Sequence, residues 1–199
     1  LALNLGSLAI PLAFSFEPKV AFHKKWKFLW PSLVIMAGIF LIWDAWFTAE
    51  GVWEFNHNYV LGPEIGNMPF EEWMFFICIP YACVFTHEAL KYYVPKTWFD
   101  NKGKLITLPL ALICLFTGLT HLDNLYTLVT FIPLGFFLLT LHFILKPPHI
   151  GRFYFTYLIT VIPFLIVNGF LTAMPVLIYN DAENLGIRVG TIPLDNFFY

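Results

Sequence analysis

The chain has 199 residues, of which 59% are hydrophobic, 20% aromatic and 12% charged, with a mean hydropathy of +0.71 and a formal net charge of −2. A soluble domain carries about 25% charged residues, so this composition excludes an ordinary water-soluble globule. The small negative charge excludes nucleic-acid binding through a basic surface. Cys78, Cys83 and Cys114 all fall in apolar runs and read as small core residues, not as disulfides or metal ligands. The apolar run at Leu1 has no basic segment before it, which reads as a piece of a longer chain and not as a signal peptide.

A bilayer crossing needs about 20 mostly apolar residues. In chain order the candidates are 1–14, 28–48, 69–90, 105–120, 125–145 and 153–175, and a seventh begins at Pro193 and is cut at Tyr199. Pro11, Pro31, Pro80, Pro109, Pro133 and Pro163 lie inside spans, where neighbouring helices can satisfy the freed backbone groups. Lys19, Lys24, Lys25 and Lys27 fall in the first loop, Lys91, Lys96, Lys102 and Lys104 in the third, and Lys146 and Arg152 in the fifth. Basic residues mark cytoplasmic loops. The amino terminus is therefore expected outside, with 49–68, 121–124 and 176–192 as outer loops.

The segment Asn67-Met68-Pro69-Phe70-Glu71-Glu72-Trp73 sets two adjacent carboxylates at the mouth of a span, and Thr191-Ile192-Pro193-Leu194-Asp195-Asn196-Phe197 returns the arrangement 124 positions later. The same offset aligns Thr48 with Thr172, Gly62 with Gly186, Gly66 with Gly190 and Asp44 with Asn168. Several of these are loop positions, where hydrophobic bias cannot produce identity. Spans 1–3 then correspond to spans 5–7, with the fourth left over. Three helices per unit would invert the second copy, and one extra helix restores its direction. The expected fold is an all-α polytopic membrane protein of two parallel three-helix repeats joined by a linker transmembrane helix, the last helix truncated. The boundaries are 1–103 for the first repeat, 104–124 for the linker helix and short outer loop, and 125–199 for the second repeat.

Ionisable groups within a bilayer are a functional-site hypothesis by default. Asp44 lies near the outer end of its span, level with Glu71 and Glu72, and the second copy offers Asn168, Asp195 and Asn196 at the same level. Trp43, Trp46, Phe47, Trp73, Phe75, Phe76, Phe170, Phe197, Phe198 and Tyr199 crowd this layer. Two blander readings stand beside the catalytic one. First-turn acids behind a proline complement the helix dipole, although that leaves Asp44 unexplained. Interfacial belts account for many of the tryptophans and tyrosines, whereas aromatic faces around a dry acidic site would suit a transient carbocation.

The remaining polar residues read as structural. Glu88 lies three residues from Lys91, a surface ion pair, and about 24 Å along the helix from Glu72. His142 reads as a satisfied interfacial histidine, His57 and His121 have no partners at metal-ligand spacing, and Asn56, Asn58 and Asn180 shape outer loops. No dinucleotide fingerprint, phosphate-binding loop, His-Glu-x-x-His or paired Asp-x-x-x-Asp is present. No metal and no cofactor is expected, and prenyl transfer is disfavoured.

The runs Trp43-Asp44-Ala45-Trp46-Phe47-Thr48, Gly51-Val52-Trp53-Glu54-Phe55-Asn56, Asn67 to Glu72, and Val167-Asn168-Gly169-Phe170-Leu171-Thr172 resemble the lycopene cyclase domain, as do Gly186-Ile187-Arg188 and Ile192-Pro193-Leu194-Asp195. This is the membrane-embedded, heterodimer-type lycopene β-cyclase, in its fused two-domain form. The resemblance implies proton-initiated cyclisation of the linear ends of lycopene to β-ionone rings, an isomerisation with no net redox change. It places the chain in a bacterial inner membrane, with lycopene and the lipid bilayer as partners. A homo-oligomer or association with other carotenoid-pathway enzymes is compatible with it. Glu71, Glu72 and Asp195 match the family's motif positions, and either Glu71 or Glu72 is expected to be the acid, with Asp44 orienting or tuning it. The second motif departs from two acids by reading Asp195-Asn196. A non-catalytic carotenoid- or quinone-binding subunit and a small transporter are the competing readings.

Overall fold

The computed structural model describes residues 1–199, and it is built almost wholly of helices. They are α1 (Ala2–Phe14), α2 (Trp26–Glu50), α3 (Phe70–Tyr93), α4 (Gly103–Thr120), α5 (Leu125–Thr140) and α6 (Ile150–Ala173). Five apolar helical segments, 22–50, 70–93, 103–120, 125–145 and 150–173, are long enough to cross a membrane, and α1 is a shorter apolar helix. These helices begin and end within a few residues of the first six spans read from hydropathy, and at the seventh the chain forms only a 3-10 turn, Leu194–Phe197. Each α-helix carries an internal proline, Pro11, Pro31, Pro80, Pro109, Pro133 or Pro163. Ile39, Ile42, Leu105 and Ile144 are among many large side chains left exposed. In lipid such side chains carry no penalty, so the fold needs only a narrow packed seam between helices.

The chain divides into two compact units, Leu1–Pro95 with Pro175–Ile178, and Lys96–Met174 with Tyr179–Tyr199. In the first, Phe22, Leu29, Leu33, Tyr81 and Phe85 form one buried cluster, and Ala37, Leu41, Met68 and Phe76 a second. Tyr81 is fully enclosed, with Ser15 Oγ and Trp26 Nε1 hydrogen-bonded to its hydroxyl. Glu88 pairs with both Lys25 and Lys91, the second as expected from their spacing.

In the second unit α4 packs on α5 through small residues. Ala111 and Cys114 are fully buried, and Gly118 and Gly135 bring the two backbones close. At the start of α6 a Cβ on Gly151 would stand 2.0 Å from the Phe99 carbonyl oxygen, so only glycine fits there. Arg152, buried beside it, pairs with Asp100, which Thr97 also holds through its backbone N–H and hydroxyl. These hydrogen bonds, the backbone one foremost, keep the Asp100 carboxyl below its usual range.

His142 departs from the sequence reading. Residues Leu141–Leu145 extend α5 as a π turn, which rotates the side chains that follow relative to a regular helix. The His142 ring packs on Phe143 and its Nδ1 is enclosed without a hydrogen-bond partner.

The two outer loops are built alike. After α2 come β1 (Trp53–Phe55), β2 (Glu64–Ile65) and β3 (Met68–Pro69), and after α6 come β4 (Leu177–Tyr179), β5 (Arg188–Val189) and β6 (Ile192–Pro193). Glu64 pairs with Pro69 and Ile65 with Met68, while Arg188 pairs with Pro193 and Val189 with Ile192. Each partner lies 124 residues from its counterpart. Both hairpins turn on two residues led by a glycine of positive φ, Gly66 at 69° and Gly190 at 64°, the pattern of a type II′ turn. Asn56 and Asn180 each accept, through Oδ1, the amide N–H two residues on, shaping the loops as expected.

Candidate functional site

The first unit's site grows from the junction of α2, the outer loop and α3. Pro69 is extended (φ −66°, ψ 151°) and delivers the chain into α3, whose first turn holds Glu71 and Glu72. Asn67 Nδ2 donates to the Ala45 carbonyl at 2.8 Å, and Trp73 Nε1 donates to Ile65 O at 3.3 Å, so the loop is tied to the helices on both sides. This brings Asp44, 2% exposed near the end of α2, against the partly buried Glu72, and their carboxyl groups are hydrogen-bonded. A hydrogen bond between two carboxyl groups needs a proton between them.

Glu71 faces elsewhere. Its Oε1 accepts the Leu61 N–H at 2.9 Å, while Oε2 is buried without a hydrogen-bond partner. Asn4 Nδ2 donates to the Glu71 carbonyl oxygen at 2.7 Å. Buried Asn4, which the sequence reading passed over, thus ties α1 to the first turn of α3. Its signal was there, a lone amide in an apolar span.

The expected aromatic layer splits in two. Phe40 stacks on Trp43 (6.2 Å) and on Phe76 (5.9 Å), and Phe75 meets Phe76 edge-on. Trp43 Nε1 is enclosed without a partner. Phe47 is fully buried against Trp53. Trp46, by contrast, is 42% exposed and donates to Glu50, and Phe170 is 53% exposed, both as membrane-belt residues would be. Phe40 is the aromatic that hydropathy alone did not single out.

A cavity of about 580 Å³ opens above this junction, lined by Thr48, Trp53, Asn56, His57, Glu64 and Asn67 among others. His57 pairs with Glu64 at its rim. No cluster of three His, Cys, Asp or Glu side chains is arranged to hold a metal ion.

The second unit assembles its motif differently. Asp195 is completely buried. Its Oδ1 accepts from Thr127 Oγ1 at 2.6 Å and its Oδ2 from the Leu185 N–H at 3.2 Å. Asn196 stands where the first unit has Glu72. It accepts from the Tyr126 hydroxyl at 2.7 Å and donates to that of Tyr179 at 2.6 Å. Asn168, the counterpart of Asp44, is buried on α6. Phe197 packs on Phe164, Phe198 on Phe131 and Tyr199 on Tyr126. Where the first unit has a carboxyl pair, the second has two amides. Tyr126, Tyr179 and Thr127 escaped the sequence reading because nothing local marks them.

Fold and site together define a multi-pass, all-helical membrane protein with a duplicated outer loop and one buried carboxyl pair at a helix mouth. The family model for lycopene cyclase matches residues 1–90 and 123–199, and the chain belongs to that family. The unmatched stretch contains α4, the helix that the repeat leaves over. No curated protein and no solved structure matches the chain. Membership makes this a cyclase with a carotenoid substrate.

Proposed function

We propose that the protein closes the linear ends of lycopene into β-ionone rings, with Glu72 as the proton donor and Asp44 as its partner. The carrying observation is the hydrogen-bonded carboxyl pair between α2 and α3. The shared proton passes to a terminal carbon–carbon double bond, leaving a tertiary cation and two carboxylates. Electrons of a second double bond close the ring. A ring proton then returns to the pair, so the reaction is an isomerisation and the enzyme ends as it began. The faces of Phe40, Trp43 and Phe76 support the cation, each contact contributing about 0.5–2 kcal/mol. Asn168, Asn196, Phe197 and Tyr199 in the second unit hold substrate without donating a proton.

This reading also carries the two parallel repeats at 1–103 and 125–199 with the linker helix at 104–124, and a bacterial inner membrane with the motifs entering from the outer face. Expression of the chain in lycopene-accumulating cells tests it. Appearance of cyclic carotene supports the enzyme. Pigment that co-purifies unconverted would replace it with a binding role.

A further inference from the structure

In both units a motif carboxylate grips the same stretch of loop backbone. Glu71 Oε1 accepts the N–H of Leu61, and Asp195 Oδ2 accepts that of Leu185, in each case ten residues upstream. The adjoining bond is repeated too, with Phe70 N–H donating to Pro63 O at 3.0 Å and Leu194 N–H to Ile187 O at 2.8 Å. A function confined to one catalytic site would not require the same grip twice, least of all where Asn196 replaces the neighbouring acid. We propose that the leading acid of each motif, Glu71 or Asp195, is a positioning residue that clamps its outer loop onto the following helix. Proton transfer is left to Glu72.

The loop that Glu71 holds is the one that bonds to Ala45 and Trp73, the neighbours of Asp44 and Glu72. Clamping it therefore fixes the two helix ends that carry the reactive pair. The clamps are unequal. Asp195 has both oxygens engaged, the second by Thr127. The matching position in the first unit is Leu3, which has no hydroxyl, and Glu71 Oε2 has no donor. The Glu71 carboxylate therefore accepts one hydrogen bond, from the loop, where that of Asp195 accepts two, one from its loop and one from α5.

This rests on the proposed cyclase chemistry only for its activity readout. Amide hydrogen exchange on the full chain in detergent is measured beside lycopene conversion. A bond from N–H to a carboxylate changes local opening by about tenfold or more. Glu71→Leu is expected to speed exchange at Leu61 by about that factor and to lower conversion. Glu71→Gln, which keeps an acceptor oxygen, restores protection and most of the conversion. Glu72→Gln leaves exchange at Leu61 as in the parent and removes conversion. Unchanged exchange in Glu71→Leu overturns the clamp. So does a Glu71→Gln chain that is protected yet as inactive as Glu72→Gln. An active Glu72→Gln chain counts against the proposed acid alone, because the exchange result does not depend on it.

Discussion

Asp44, near the end of α2, is hydrogen-bonded through its carboxyl group to Glu72 in the first turn of α3. The relationship separates two adjacent acids that look interchangeable in the chain. Successive helical residues point about 100° apart, so Glu72 meets Asp44 while Glu71 turns to the loop.

Removing either member of the pair should abolish conversion while leaving the protein in the membrane. General acid catalysis contributes about 10²–10⁴-fold, and Asp44→Asn and Glu72→Gln are expected to fall by that much. Initial rates of lycopene consumption in membrane fractions, normalised to protein level, make the comparison. Full activity in Asp44→Asn would detach it from the reaction.

The Asp195 cradle predicts a different phenotype. Thr127→Val leaves a buried carboxylate oxygen without its donor, a loss of about 1.5–3 kcal/mol for a bond to a charged group. Thermal unfolding in detergent should show a lower midpoint, with conversion per folded molecule retained. A normal midpoint with reduced turnover would instead give Thr127 a place in catalysis.

Asp181 and Arg188 provide a pH signature outside the membrane spans. The Arg188 hydrogen bond, first among the causes, holds the Asp181 carboxyl below its ordinary value. A carboxylate depressed in the folded state stabilises fully above its unfolded pKa of about 3.9, and that contribution disappears as pH falls through the folded value. Asp181 is largely exposed, so the effect is under about 1 kcal/mol. Exchange protection of residues 181–189 should match between pH 5 and 8 and weaken below about pH 4. The Arg188→Gln chain should show a smaller acid transition, since Asn184 still donates to Asp181, and an identical profile in both chains would remove the pair from the account.

The outer loops were readable in advance because their chemistry is local. A glycine of positive φ, a proline before a helix and an asparagine bonding its own backbone each constrain their neighbours without help from afar. Repetition at a fixed offset therefore exposed Gly66 with Gly190 and Pro69 with Pro193. The partners of the acids were not readable this way. Thr127 reaches Asp195 across 68 residues and Asn4 reaches Glu71 across 67. A threonine or a single amide in an apolar helix carries no sign of which distant group it will meet, the carboxylate of Asp195 for Thr127 and the backbone carbonyl of Glu71 for Asn4.

Hydropathy and periodicity alone determined that the chain crosses a membrane, where its spans lie and that its outer loop occurs twice. Those properties follow from residue-by-residue transfer free energies and turn sterics, both of which are properties of short segments. Only the tertiary structure decided that Glu72, and not Glu71, faces Asp44, that Asp195 is saturated by donors, and that Trp46 turns outward while Trp43 stays in. Each of these depends on helix rotation, which packing between distant segments sets and no local pattern encodes.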